Sequence, residues 1–355
     1  MRTRLIRPAI VLLALSAMAA AYLFWAWNHP LQPGMEIYAV KPGMTLRAFA
    51  RELSSREVLP ESQSFVWLAY LTGHQRDLKS GEYRFRNGMS ARELLEQIVA
   101  GRVVEYPVVL VEGWTFRQFL EAIGEAPKLT RTLTGLSPRA IMERLGHKGE
   151  HPEGRFFPDT YYYSSGQTEL AILANAYDKM QKLLQQEWEK RDNNLPFKDA
   201  YEALILASIV EKETGRPDER RMIAGVFVNR LRHGMRLQTD PTVIYGLGES
   251  FDGNLRLRDL RRDTPYNTYT RTGLPPTPVA MPGKESLQAV MHPVLNGSLF
   301  FVARGDGSHE FSATLEEHNK AVKKYQLKGK ARAPAARPAP ASGTRGTTSS
   351  ATTSR

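Results

Sequence analysis

The chain has 355 residues, 42% of them apolar, and no cysteine. That length suits two or three domains with real cores, and the composition excludes disulfides, thiolate nucleophiles and thiolate metal sites. The formal net charge is +11, but Lys328, Lys330, Arg332, Arg337, Arg345 and Arg355 crowd the last stretch with no acid among them, and Arg2, Arg4 and Arg7 the first; what lies between is near neutral, so no nucleic-acid groove is expected.

Ala9 to Trp27 carries no charge and one weakly polar side chain, Ser16. As a helix it would span about 28 Å, close to the hydrocarbon thickness of a bilayer. Trp25 and Trp27 close the segment, where indoles favour the interface. Three arginines precede it and none follows closely. Residues 1–30 therefore read as a cytoplasmic N-terminus and a single transmembrane anchor, with the rest outside. Ala17, Ala19 and Ala21 would suit a cleaved signal peptide, but an apolar run reaching Trp25 is long for one.

A short pattern then recurs: an extended apolar stretch, a glycine for the turn, and a hydroxyl residue opening a helix. It is carried by Gly43 and Thr45, by Gly88 and Ser90, and by Gly113 and Thr115. Each hydroxyl can accept a bond from a free N–H of the first helical turn. Leu46, Phe49, Ala50 and Leu53 mark one helix face, as do Leu94, Leu95 and Ile98. A further strand is expected around Gly81 to Phe85. Residues 35–106 should thus form a small α+β module of βααβ type, which resembles the LysM modules that bind glycan chains. Residues 107–150 read as a connecting subdomain.

From residue 151 the composition changes. Glu153 to Tyr163 is densely aromatic. Helices are expected over about Glu169–Arg191, Asp199–Thr214 and Asp218–His233. Residues 234–283, rich in Pro, Gly, Thr, Asn and Tyr, read as irregular, and long loops in a compact domain are usually functional. Gly305 to Gly307 reads as the turn of a hairpin between Leu299–Ala303 and His309–Ser312. Residues 328–355 hold almost no large apolar group and should be disordered.

The helix ending at Thr214 is nearly all apolar until Glu211 and Glu213. Glu213 continues the stripe of Leu206, Ile209 and Val210. A carboxyl beside apolar groups has its pKa raised, and a protonated carboxylic acid near neutral pH is what cleaving a glycosidic bond requires. The competing reading leaves both acids in water at a helix end, where an acid opposes the macrodipole. On residues alone, either acid could act. Gln238, Thr239 and Asp240 supply three neighbouring polar side chains and Tyr245 an aromatic platform, a combination suited to sugars. Asn267 and Tyr269 repeat it. The eight histidines show no metal spacing, and no nucleophile elbow or phosphate loop occurs, so neither metal nor cofactor is expected.

The motifs Ala207-Ser-Ile-Val-Glu-Lys-Glu-Thr214, Val226-Phe-Val-Asn-Arg-Leu231, Leu237-Gln-Thr-Asp-Pro-Thr-Val-Ile-Tyr-Gly246, Tyr266-Asn-Thr-Tyr269, Gly273-Leu-Pro-Pro276 and Leu299-Phe-Phe-Val302 resemble, in order and spacing, the endolytic murein transglycosylases of the YceG-like family. Glu153-Gly and Phe157-Pro-Asp-Thr160 do so too. The resemblance covers the chain from the anchor to about residue 327. It implies a single-pass inner-membrane protein with a LysM-like module and a lysozyme-like, mostly helical catalytic domain (151–327) in the periplasm. The implied reaction cuts nascent peptidoglycan glycan strands between N-acetylmuramic acid and N-acetylglucosamine, leaving 1,6-anhydro ends. The family's catalytic glutamate falls on Glu213. Gln238, Thr239, Asp240 and Asn267 would bind sugar hydroxyls and acetamides, and Tyr245 and Tyr269 would stack on or steady the transition state. Peptidoglycan synthases would be partners. Three rivals remain: a hydrolase with Asp240 as second carboxylate, a non-catalytic glycan-binding scaffold for wall synthases, and a nucleic-acid binder acting through the tail.

Overall fold

The computed structural model describes residues 2–34 and 37–327. The basic segment 328–355, expected to be disordered, lies outside the described residues. Among the described residues the chain mixes helices with three separate antiparallel two-stranded sheets.

Helix α1 (Arg2–Asn28) has the apolar stretch Ile10–Asn28, long enough to cross a bilayer. Ile10, Val11, Leu12, Leu13, Leu15, Met18, Tyr22, Phe24 and Trp25 are exposed along it, and Leu23 is partly buried. Its last turn differs. Ala26 is buried, and the Trp27 indole N–H donates to the Ser64 carbonyl at 2.9 Å.

Strand β1 (Ile37–Val40), helices α2 (Leu46–Ser55) and α3 (Ser62–Leu71) and strand β2 (Gly81–Arg84) follow in βααβ order, with Ile37 opposite Arg84. Helix α4 (Ala91–Ala100) closes the unit. Thr45 and Ser90 cap α2 and α4 through their hydroxyls, the bonds expected of them. Gly101, left-handed at φ 72°, ends α4. Leu53, Phe65, Tyr83, Phe85, Leu94 and Ile98 form a core here with no exposed surface.

Strand β3 (Glu105–Val109) leads to α5 (Phe116–Glu125), capped by Thr115, and α6 (Pro138–Arg144), capped by Ser137. Strand β4 (Thr160–Ser164) returns to pair antiparallel with β3, Glu105 opposite Ser164. This ladder joins chain from either side of the expected boundaries at 106 and 150. Phe119, Phe156, Tyr163 and Ile172 fill the core beneath it.

The three expected long helices are α7 (Glu169–Glu189), α8 (Ala200–Glu213) and α9 (Arg220–Arg232). The stretch read as irregular contains two short helices, α10 (Asp240–Leu247) and α11 (Leu257–Arg261). Pro241, in the first turn of α10, has no N–H to lose there. Helix α12 (Lys284–Met291) packs on α8 and α9. The expected hairpin is β5 (Phe300–Ala303) and β6 (His309–Ser312), and α13 (Leu315–Val322) follows.

Helix α8 is the axis of this part. Leu204, Leu206, Ile209 and Val210 have no exposed surface, and each contributes about 1.5–3 kcal/mol by leaving water. Helix α9 comes so near the segment after α12 that a β-carbon on Gly225 would fall 2.0 Å from the Val294 carbonyl oxygen.

Candidate active site

Glu211 and Glu213 close α8. Two positions apart on a helix, side chains point about 200° apart around the axis, and these two enter different surroundings. The Glu211 carboxylate accepts the Gly283 N–H at 2.9 Å and the Ser286 hydroxyl at 2.7 Å, with Arg220 at 3.7 Å. It ties the end of α8 to the start of α12. A cleft of about 580 Å³ opens on the Arg220–Glu285 side of this clamp; Glu213 does not line it.

Glu213 is partly buried and keeps some open surface. Burial pushes its pKa up, the Asp240 charge adds to this, and the Thr239 hydrogen bond, His309 and Arg230 work against it. The Thr239 hydroxyl donates to Oε1 of Glu213. Among the described residues no other hydrogen bond reaches this carboxyl, so Oε2 is free for a ligand.

Thr239 is only 2% exposed, and its own orientation is fixed. Its N–H donates to the Thr268 hydroxyl at 3.1 Å, the Thr242 hydroxyl donates to its carbonyl at 2.8 Å, and Thr242 and Thr268 bond each other at 2.9 Å. This trio of hydroxyls holds the start of α10 against Glu213. Gln238 reaches the junction with φ 52°, a left-handed conformation that costs a non-glycine residue free energy. The Gln238 N–H bonds the Thr268 carbonyl, and Arg230 holds the Leu237 carbonyl and the Gln238 side chain at 2.8 and 3.4 Å. Arg230 also bonds the Leu299 carbonyl at 2.7 Å, which brings the hairpin to the site. At the other end of the hairpin, His309 bonds Glu219 through both its backbone N–H and its ring.

Asp240 is exposed, and the Tyr269 hydroxyl donates to it at 2.6 Å. Burial and the Asp240 bond raise the Tyr269 pKa, so the phenol stays protonated. Gln238, Thr239, Asp240 and Tyr269 therefore gather beside Glu213. Tyr245 and Asn267 are placed otherwise. The Tyr245 hydroxyl donates to Glu153 at 3.0 Å, and its ring meets Tyr266 edge-on at 4.9 Å. Asn267 is 1% exposed; its amide N–H₂ serves the carbonyls of Asp259, Leu260 and Arg262, and its oxygen accepts the Tyr269 N–H. The polar atoms of Asn267 are thus engaged with the loop.

The reading of the sequence gave no role to Glu153, Thr242, Thr268 or His309. Glu153 is a buried carboxyl, its pKa pushed up to about 7 by burial against two bonds that lower it, from the Phe116 N–H and Tyr245. Its only sign in the sequence was the Glu153-Gly pair within the family pattern. Among the described residues no three His, Asp or Glu side chains gather in a way that could hold a metal ion. The arrangement offers one poised carboxyl, a hydroxyl that orients it, and flanking polar groups.

A family model described as the YceG-like family matches residues 38–324. The chain is 30% identical over 305 residues to the endolytic murein transglycosylase of Bacillus subtilis, which covers 81% of this chain and 83% of that protein. It is 28% identical over 284 residues to the endolytic murein transglycosylase of Streptococcus pneumoniae, covering 70% of this chain but 51% of that relative, so it spans about half the latter's length. Among solved structures, a yceG-like protein of Listeria monocytogenes superposes with a TM-score of 0.52 at 29% identity, over 80% of this chain and 98% of that one.

Proposed function

The chain belongs to the YceG-like family, and from that premise we propose that it is an endolytic murein transglycosylase whose single acid and base is Glu213. The observation that carries the residue assignment is the partly buried Glu213 carboxyl, its pKa raised, with one oxygen held by Thr239 and the other open.

The reaction follows from that geometry. Protonated Glu213 gives its proton to the oxygen bridging N-acetylmuramic acid and N-acetylglucosamine as the C1–O bond breaks. Positive charge develops at C1. The C6 hydroxyl of the muramic acid closes onto C1, and its proton passes to the Glu213 carboxylate. The acid is regenerated, no water is consumed, and the new end is a 1,6-anhydro sugar. The Thr239 hydroxyl steadies the carboxylate between the two transfers. Gln238 and Asp240 bind sugar hydroxyls and acetamide, and Tyr269, its hydroxyl turned to Asp240, borders the transition state. Asn267 and Tyr245 position the loops.

In this reading α1 crosses the inner membrane with its N-terminus in the cytoplasm, and residues after it lie in the periplasm. The outward-facing apolar side chains of α1 support the anchor. The βααβ order of β1–α2–α3–β2 supports a LysM-like, glycan-binding role for residues 35–106; 107–150 connects it to a lysozyme-like catalytic part over 151–327. Wall synthases are the proposed protein partners. A hydrolase reading would use Asp240 as its second carboxylate, but the short Tyr269 bond already engages that group. Mass spectrometry of uncrosslinked glycan strands treated with the purified protein tests the choice. Internal cuts ending in 1,6-anhydro-muramic acid, lost in Glu213→Gln, support the proposal; reducing ends would replace it with hydrolysis.

A further inference from the structure

Helix α3 is apolar on two faces. Phe65, Leu68 and Ala69 are fully buried in the core of the βααβ unit. Trp67, Tyr70 and Leu71 are 52%, 48% and 67% exposed. Their spacing of three and four places them in one stripe. Three large apolar side chains side by side are not the single scattered ones that any protein surface shows.

The stripe has a particular neighbour. Trp67 and Leu71 line a cleft of about 500 Å³ together with Ala19, Tyr22 and Leu23 of α1. Helix α1 is fastened there by the Trp27–Ser64 bond, by buried Ala26, and by Trp27 packing on the unit's core. The apolar surface of α1 therefore runs without a break onto α3.

We infer that Trp67, Tyr70 and Leu71 lie in the interfacial layer of the leaflet that meets the C-terminal end of α1, with lipid acyl chains filling the cleft between α1 and α3. This rests on the reading of α1 as a membrane anchor. Continuity selects the occupant: whatever solvates α1 at Ala19 to Leu23 also covers Trp67 and Leu71, because the same cleft is lined by both. The residue types agree, since Trp and Tyr favour the membrane–water interface. Past α3 the chain turns polar at once, with His74 bonded to Asp77 at 2.9 Å, as suits a segment among headgroups. The βααβ unit then rests on the bilayer in a set orientation instead of swinging on a tether.

The absence of cysteine makes a clean test possible. The full chain carrying Leu71→Cys, labelled with a nitroxide, is placed in phosphatidylethanolamine–phosphatidylglycerol vesicles. Collisions with oxygen report lipid, and collisions with a water-soluble nickel chelate report water. Leu15→Cys in α1 and Glu125→Cys at the exposed end of α5 are the references. The inference expects Leu71 to fall between Leu15 and Glu125, with nickel collisions several-fold below those at Glu125, and Trp67→Cys to behave likewise. Nickel access at Leu71 equal to that at Glu125, with Leu15 still in lipid, would overturn the inference alone. Water access at Leu15 as well would overturn the anchor. Protection of Leu71 appearing only after another protein is added would replace lipid with a protein partner.

Discussion

Glu211 and Glu213 stand two residues apart on one helix end and share no partner. Gly283, Ser286 and Arg220 clamp the first; Thr239 alone bonds the second. Exchanging each acid for its amide should therefore separate folding from chemistry. Glu213→Gln should lower strand cutting on the order of 10²–10⁴-fold and leave the melting temperature unchanged or raised. Glu211→Gln should cost about 1–3 kcal/mol while folded molecules still cut. Thermal melts beside product counts decide this, and the opposite pattern would move the acid to Glu211.

Thr239 lowers the pKa of Glu213 against a larger upward push from burial. As an acid, Glu213 works below its pKa, so cutting falls as pH rises through it. Removing the bond in Thr239→Val should move that falling limb to higher pH and slow the reaction by about tenfold, the worth of one hydrogen bond. Thr239→Ser should restore both. A pH–rate profile of the three proteins is the check; an unmoved limb would mean the bond does not form in solution.

Glu153 sets a different pH dependence. Burial pushes its folded pKa up to about 7 from the ordinary 4.5. The folded state then binds more protons than the unfolded one between those values, so the contribution of Glu153 to stability is fully present below about pH 4.5 and is lost as pH rises to about 7. The gap corresponds to about 3 kcal/mol. Glu153→Gln should flatten this decline, measured by denaturant unfolding across that range. An unaltered slope would show that Glu153 titrates normally.

Asn267 holds three carbonyls and one N–H of the loop before and around Tyr269. Asn267→Ala removes the donor of these part-buried bonds and should cost about 1–3 kcal/mol. Asn267→Asp should be worse, because a carboxylate oxygen would face carbonyl oxygens. Hydrogen exchange should show the loss concentrated in residues 259–271; uniform loss would place Asn267 outside this role.

The sequence revealed what local chemistry decides. Thr45, Ser90 and Thr115 cap the helices they precede because a cap needs only residues three apart. Glu211 and Glu213 stood out together because both close one apolar helix; only the family resemblance chose between them. The short helices α10 and α11 were hidden among turn-forming residues. The rest of the site depends on approach between distant segments. Thr239 and Thr268 lie 29 residues apart, His309 and Glu219 lie 90 apart, and Tyr245 and Glu153 lie 92 apart. No periodicity records such meetings, so the hydroxyl trio and the burial of Glu153 came only with the fold.

The β3–β4 ladder also bears on how the chain is made. During synthesis β1 and β2 can pair early, but β3 must wait until Ser164 has emerged. At typical synthesis rates that wait is roughly 3–10 seconds, during which β3 is an open template for a neighbouring nascent chain. Pro107, in the middle of β3 and opposite Tyr162, has no N–H to offer such an intruder. A proline that contributes little to the finished sheet would thus guard it while it is half built.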